Sequence, residues 1–385
     1  MKNKPENNID FLAFNYFLYL LEIIFLMLSF KITAGNSSEI HLVVKGGQNE
    51  SNFTYNFEIE PSQIIVNGIP KNSCKEFCEL EYEDNNVTII FNVSIESCFK
   101  MFNQLQNVKE IDLSNFDFSG VKSMSSMFYN CTNLEKINFG NINTSSVEEM
   151  RALFYNCTKL TSSDLSKFDT SSVTTMEGMF YKCSSLTSID VSNFNTSNVE
   201  IISNMFSCCH NLTYLDISNF DTSKVNSLAY LLRNCTNLKQ INLGNMNTSA
   251  VTSMQSMFYY CENLDSIDIS SFDTSLVTSM KWTFFACSLL KSIKFPEIMN
   301  TSKVESMFSM FAHCNSLISL NLSSFDTSKV TEMCHTFLNC NKLKYLDLSS
   351  FSPLNITTVQ QMFANTKSLI YLDLNSFEIN NNTYL

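Results

Sequence analysis

The hydrophobic positions of this chain recur with a period of 26 residues. Over all copies the register is V-x-x-M-x-x-M-F-x-x-C-x-x-L-x-x-I-D-L-S-x-F-D-T-S-x, and one interval is longer by a residue inserted near Phe295. A fixed period of this length indicates a solenoid, in which each copy is stable only when it is stacked on its neighbours. The eleven copies open at Ile95, Val121, Val147, Val173, Val199, Val225, Val251, Val277, Val304, Val330 and Ile356.

Each copy changes its apolar spacing halfway. The apolar residues from Val173 to Cys183 lie three and four apart, which predicts one face of a short helix. Ile189 and Val191 flank Asp190, and this alternation predicts a short strand. Residues 195–197, Asn-Thr-Ser, are suited to capping the start of the next helix. The sequence therefore predicts a strand-turn-helix repeat.

Stacking such units predicts an α/β solenoid. Parallel strands lie about 4.8 Å apart, whereas helix axes need about 8–10 Å. The helical side should therefore splay and the strand side should curve inward, so we expect a shallow horseshoe with a concave strand face.

Three parts of the register carry a resemblance. The L-x-x-I-x-L strand, the Met-Phe-x-x-Cys segment and the F-D-T-S-x-V turn resemble the leucine-rich repeats of the BspA-like surface protein family, including its branch in mycoplasma lipoproteins. The resemblance spans Ile95 to about Phe377. It implies an extracellular recognition or adhesion surface, and it brings no catalytic residues to this chain.

The repeat array, residues 95–379, is flanked by other segments. An apolar stretch from Phe11 to Phe30 within residues 1–35 is typical of a signal peptide or of an uncleaved signal anchor, and either would place the array outside the cytoplasm. Residues 36–94 show strand patterns separated by turn residues, and we expect a β-rich cap on the first repeat. Residues 380–385 form a short polar tail.

Composition narrows the class of partner. The net charge is −12, and no basic run offsets it. Nucleic acid is therefore excluded as an expected partner, and an anionic membrane surface is disfavoured except through the N-terminal apolar segment.

The cysteines of the array form a column. Their number is odd, and the expected splay of helices would separate neighbouring Cα atoms too far for disulfides, so we expect buried free thiols. In the cap, Cys74 and Cys78 could instead form a local or intermolecular bridge. The column consists of Cys131, Cys157, Cys183, Cys209, Cys235, Cys261, Cys287, Cys314 and Cys340.

The sequence does not predict a metal site or a cofactor. Cysteine and histidine are adjacent in residues 208–210, 313–314 and 334–335, but these pairs fall in different columns or several repeats apart. Zinc needs about four converging ligands. We therefore expect no metal and no cofactor.

The sharpest polar feature is an aspartate column, expected to point outward from the strands onto the concave face. One interpretation is a solvated strand face; the alternatives are a site for a cationic partner, for calcium, or for another ligand. The candidate ligand-binding residues are Asp112, Asn138, Asp164, Asp190, Asp216, Asn242, Asp268, Lys294, Asn321, Asp347 and Asp373.

One repeat departs from the others. Lys294, Phe295 and Pro296, with the single Trp282, mark the copy that carries the inserted residue, and we expect any specialised site there. Sequons are numerous, and those of the cap, at Asn36, Asn52, Asn86 and Asn92, are the best candidates for glycosylation.

The sequence predicts an exported, non-enzymatic protein that recognises or adheres to an extracellular protein or glycan through its strand face. Two alternatives remain. The chain could be a surface-coat or matrix component that self-associates, or it could cleave polysaccharides with a pair of carboxylates from the aspartate column.

Overall fold

The computed structural model describes residues 34–45, 59–71, 80, 84–352 and 354–377. In these residues the regular elements are short β-strands. They are β1 (Ala34–Val44), β2 (Gln63–Val66), β3 (Ile69–Pro70), β4 (Asn85–Val93), β5 (Val108–Asn115), β6 (Lys136–Asn138), β7 (Tyr214–Asp216), β8 (Gln240–Asn242), β9 (Ser266–Asp268), β10 (Ser292–Lys294), β11 (Ser319–Asn321), β12 (Tyr345–Asp347) and β13 (Tyr371–Asp373).

Strands β1 to β4 form an antiparallel cap that joins the array. The sheet order is β3-β2-β4-β1-β5-β6. Ile40, Leu42 and Phe91 are buried, because every second side chain of these strands points to the core. His41 of β1 lies opposite Asp112 of β5 in an antiparallel pair. The cap thus occupies the edge that the first repeat would otherwise expose.

From β5 onward, neighbouring strands are parallel and one copy apart. In β12 and β13, for example, Leu346 lies opposite Leu372. A second line of parallel bridges joins the third residue of successive copies, between Ser97 and Thr358. The copies therefore stack as rungs of a β-solenoid, and the predicted repeat architecture is confirmed.

The half of each copy that was predicted to be helical is a series of turns. No α-helix forms in the part of the chain that the structure describes, because two residues of each rung have left-handed backbone angles. In the second copy these are Ser126 and Asn130, with φ of 56° and 61°, which a right-handed helix excludes. The N–H of Met127 bonds three residues back, whereas that of Phe128 bonds to the Leu153 carbonyl of the next rung. The helical prediction is wrong.

The turns also remove the reason for a horseshoe. The stacked rings of Phe102 and Phe128 lie 5.5 Å apart, and those of Phe337 and Phe363 lie 5.7 Å apart. The turn side thus rises by little more than a strand spacing per rung, far less than packed helices need. The expected splay of one side has no physical cause in these turns.

The cysteine column lies inside this stack. All nine thiols are free and buried, and each S–H donates to a backbone carbonyl of the preceding rung, as Cys183 does to Phe154 at 3.1 Å. Burial raises the pKa of Cys183 to about 12. These groups are therefore protonated and act as small apolar side chains with one satisfied donor.

The threonines of the turns form a buried column of hydrogen-bonded side chains. The sequence had predicted that they cap helices. The hydroxyl of Thr144 donates to the Asp169 carbonyl at 2.9 Å and accepts the Asp169 N–H at 2.8 Å. Within the same turn, Asp169 Oδ1 accepts the N–H of Ser171. The D-T-S motif thus joins one turn to the next rung. The buried members are Thr144, Thr170, Thr196, Thr222, Thr248, Thr274, Thr301 and Thr327.

The position before the aspartate column, which is apolar in the other copies, is polar in one of them. Ser163 stands where other copies carry Ile or Leu, and its hydroxyl is buried with no hydrogen-bond partner in the described chain. Residues 161–165 and 187–191 form no assigned strand. Asp164 therefore has a buried apolar neighbour on one side only, Leu165.

Some expectations lie outside the described residues. They are the apolar stretch of the signal peptide or anchor, from Phe11 to Phe30, the pairing of Cys74 with Cys78, the sequon at Asn52 and the tail at residues 380–385. Residues 34 and 35, the end of the segment 1–35, belong to β1. Where the chain is described, no helix has the length and apolarity needed to cross a membrane.

We expect Ser163→Ile to stabilise the array by about 1–3 kcal/mol, because it removes an unpaired buried hydroxyl and restores an apolar rung. The matched control is Ser162→Ile on the adjacent exposed position, which should give no gain. Urea unfolding of the two variants measures the difference. Equal effects would contradict the burial of Ser163.

Two glycines with positive φ should respond differently to alanine. At Gly178 a Cβ would meet nothing nearer than 3.6 Å, so Gly178→Ala should cost only the left-handed backbone penalty, about 1–2 kcal/mol. At Gly244 a Cβ would lie 2.7 Å from the Ser218 carbonyl oxygen. Gly244→Ala should therefore be clearly more destabilising in thermal unfolding, and the reverse order would refute this packing.

Candidate functional site

The aspartate column lies on the outer surface of the strands, which we call the strand face. In β5, Ile111 and Leu113 are buried and Asp112 between them is turned outward. The same alternation recurs at Asp216 and Asp268. Wherever strands pair, the structure therefore places the predicted column residues of successive rungs opposite each other, in the pairs Asp112–Asn138, Asp216–Asn242, Asp268–Lys294, Asn321–Asp347 and Asp347–Asp373.

Each acidic or amide residue of the column also caps its own turn. Asp216 Oδ1 accepts the N–H of Ser218 at 2.9 Å, and Asn321 Oδ1 accepts that of Ser323 at 3.1 Å. Such side-chain-to-backbone bonds explain why either Asp or Asn occurs at this position. Residue identity in this column is thus partly a structural requirement.

Where the column is not aspartate but the rung before it carries one, the side chain bonds to that aspartate. Asn242 Nδ2 donates to Asp216 Oδ2 at 3.0 Å, and Lys294 Nζ donates to Asp268 Oδ2 at 2.8 Å. These donors offset the repulsion between carboxylates on neighbouring rungs. In contrast, Asp164, Asp190 and Asp216 occupy three successive rungs, and no column donor lies between them.

The turn bonds keep the column anionic. The hydrogen bond from Ser218 lowers the pKa of Asp216 to about 2, and the bond from Lys294 lowers the pKa of Asp268 to about 2. Bonds to the ionised form favour it. The pKa is also lowered at Asp112, Asp164, Asp190 and Asp347. This is the opposite of what a general acid requires.

The pairs that suggested zinc do not converge. Among the described residues, no group of three or more His, Cys, Asp or Glu side chains could hold a metal ion. Cys208 and Cys334 are buried and free. His313 is instead packed against Phe285, with ring centroids 5.2 Å apart.

The cap sequons differ in what the structure describes. The side chains of Asn86 and Asn92 are exposed on β4. The backbone of Asn36 lies in β1, and its side chain falls outside the described part.

The aromatic residues of the strand face were not among the residues predicted from the sequence. Tyr345 and Tyr371 lie opposite each other in β12 and β13 and are 52% and 47% exposed. Ile370, the residue before Tyr371, is 72% exposed, and Ile318, at the equivalent position two rungs earlier, is 50% exposed. The signal was available, because Tyr-Leu-Asp recurs at the strand position in three copies, the third beginning at Tyr214.

A cleft of about 350 Å³ lies at the irregular rung. Phe295 and Pro296, which the sequence had marked, contribute to its wall, whereas Trp282 lies on the turn side against Phe308. The cleft separates β10 from β11, which belong to different sheets. Its lining residues are Lys291, Ser292, Ile293, Phe295, Pro296, Glu297, Ser319, Leu320, Asn321, Ser323 and Ser324.

Comparison with known proteins identifies the array. The family model described as "Mycoplasma protein of unknown function, DUF285" matches residues 96–214, 202–295 and 291–385. The chain belongs to this family. The match confirms the resemblance to the mycoplasma-type repeats of BspA-like proteins.

Solved structures with some similarity are also repeat proteins. A leucine-rich cell surface protein from Faecalibacterium prausnitzii A2-165 is 18% identical, with a TM-score of 0.35, over 74% of this chain and 83% of its own. A leucine-rich repeat protein from Eubacterium ventriosum ATCC 27560 is 17% identical, with a TM-score of 0.28, over 62% and 78%. No curated protein matches the chain.

We expect Lys294→Met to raise the pKa of Asp268, because it removes the strongest of the bonds that hold this carboxyl ionised. The pKa of Asp190, four copies away in sequence order, should not change. Carboxyl-carbon NMR titration of both residues measures this. An unchanged Asp268 would show that the Lys294 bond does not form in solution.

Proposed function

We propose that the protein is an exported cell-surface protein whose strand face recognises an extracellular macromolecule without catalysing a reaction. The observation that carries this proposal is the strand face, which presents polar residues on successive rungs and exposed aromatic residues at its C-terminal end. A stack of rungs bonded through their backbones is ordered before binding, which reduces the entropic cost of association.

The face offers two kinds of contact. Asp164, Asp190 and Asp216 form a run of anionic side chains that complements a cationic surface. Tyr345 and Tyr371 present large amphipathic rings, a residue type enriched at interface hot spots. The pattern favours a broad contact with a protein or a glycan over several rungs.

Location outside the cytoplasm rests on sequence. The basic residues Lys2 and Lys4 precede the apolar stretch from Phe11 to Phe30, an order typical of export signals. Whether this stretch is removed decides between a secreted and an anchored form.

A test of the strand face uses two variants of the full chain, one that removes negative charges and one that removes exposed aromatic rings. The triple variant Asp164→Asn, Asp190→Asn, Asp216→Asn keeps the turn-capping oxygens, and Tyr345→Ser with Tyr371→Ser removes the exposed rings. We expect each to weaken binding of the fluorescent protein to extracellular-matrix preparations and intact cells by at least about tenfold, roughly 1.4 kcal/mol.

The control is Asp169→Asn with Asp221→Asn, which removes two carboxylate charges of the D-T-S turns outside the strand face and also keeps the turn-capping oxygens. Circular dichroism and thermal unfolding should show that all variants fold. If both variants bind as strongly as the wild-type protein, the strand face is excluded as the recognition surface.

Self-association is a second candidate because one end of the described array is open. In the last copy Val359, Phe363 and Leu369 are only partly buried, whereas their counterparts in interior rungs are fully buried. Light scattering over a range of protein concentrations tests this candidate. Cleavage of polysaccharide is disfavoured by the lowered carboxyl pKa values, and release of reducing ends would contradict our proposal.

A further inference from the structure

The inserted residue interrupts the ladder between β10 and β11. From Thr213 to Ile370, the residue before each strand donates its N–H to the equivalent carbonyl one rung earlier, as Lys291 does to Asp265 and Lys344 to Ile318. Ile318 is the exception in this part of the array, since no such bond joins it to Lys291. A donor and an acceptor that are partners in the neighbouring rungs are therefore not bonded to each other at the cleft.

The turn after β10 lacks the side-chain-to-backbone hydrogen bond that caps the equivalent turn in other rungs. Lys294 provides no acceptor, and Pro296 has no N–H to donate. Without this bond the turn bulges, and Ile298 is 84% exposed while Met299 takes the buried position of the regular copies. Phe295 is only partly buried and forms part of the cleft wall.

One amide at the cleft has lost its regular partner. Asn138 and Asn242 donate through Nδ2 to an aspartate of the preceding rung. The residue before Asn321 in the column is Lys294, which can only donate. Asn321 Nδ2 therefore makes no hydrogen bond among the described residues, and it lies in the lining of the cleft.

The lining of the cleft disfavours an anionic ligand. Lys291 is paired with Asp265 at 2.5 Å, whereas Glu297 is an exposed acid with no ion pair among the described residues. The other polar lining groups are the neutral hydroxyls of four serines and the Asn321 amide. A ligand that fits this lining carries no negative charge and offers several hydrogen-bond donors and acceptors together with an apolar face for Phe295 and Pro296.

We propose that this cleft binds a neutral sugar residue of an extracellular glycan. Sugars carry hydroxyls around a ring with an apolar C–H face, which matches a wall of hydroxyl, amide and aromatic groups. The volume of about 350 Å³ lies at the small end of ligand pockets, roughly 300–1,000 Å³, and so suits a small unit rather than a protein segment. The proposal rests on the extracellular location proposed above and adds a specific site.

The test is an array of neutral and acidic glycans probed with the full chain, followed by saturation-transfer NMR of the binding sugars. The decisive variant restores a regular rung by Lys294→Asp, Pro296→Ser and deletion of Ile298, which should re-form the turn cap and close the cleft. We expect wild-type protein to bind neutral glycans and the restored variant to lose at least tenfold in affinity.

The matched pair of single variants is Asn321→Ala and Asn242→Ala. Each removes one turn-capping amide, but only Asn321 lines the cleft, so only Asn321→Ala should weaken sugar binding. Thermal unfolding of the three variants shows whether each still folds. If the restored variant fails to fold, the comparison of Asn321→Ala with Asn242→Ala decides the question by itself.

The outcomes separate this site from the strand face. Absence of neutral-glycan binding by wild type, binding only of acidic glycans, or equal losses in Asn321→Ala and Asn242→Ala would overturn the cleft proposal. Binding to cells and matrix that persists in the restored variant but fails in the strand-face variants would leave the proposed function intact. Loss in neither assay would contradict both.

Discussion

The constraint on which this structure depends is the backbone hydrogen bond between equivalent residues of neighbouring rungs. It sets one rise for the strand side and the turn side alike, as the Asn130 N–H bonded to the Tyr155 carbonyl illustrates. Every other repeated contact is a consequence, including the stacked phenylalanines, the thiols and the threonine ladder. A side chain that suits one rung suits all of them, and so columns of like residues arise.

This constraint also explains why polar residues in the array have two roles. An aspartate such as Asp190 caps a turn with one oxygen and faces solvent with the other. Recognition by the strand face therefore uses groups that folding has already fixed in place. A ligand meets side chains whose orientation costs little additional entropy.

The sequence was sufficient for the period, the strands and the outward column, because alternation and register are local signals. It failed on the turns because apolar residues three and four apart satisfy a helix and a pair of tight turns equally. Asn130, Asn156 and Gly178 held the missing information, since Asn and Gly tolerate left-handed backbone angles. The position of the cleft could be predicted from Pro296, but its shape could not. The shape depends on which backbone hydrogen bond between rungs is missing. The polar Ser163 similarly weakens a strand that the register implied.

The bulge at residues 295–299 has a further consequence for how such chains diversify. One additional residue is absorbed at a corner, and the register resumes unchanged at Val304. Corners of this kind can therefore gain or lose residues without disturbing the stack on either side. Related proteins could acquire new binding specificities through longer individual corners, while the structure of the repeated rung stays the same.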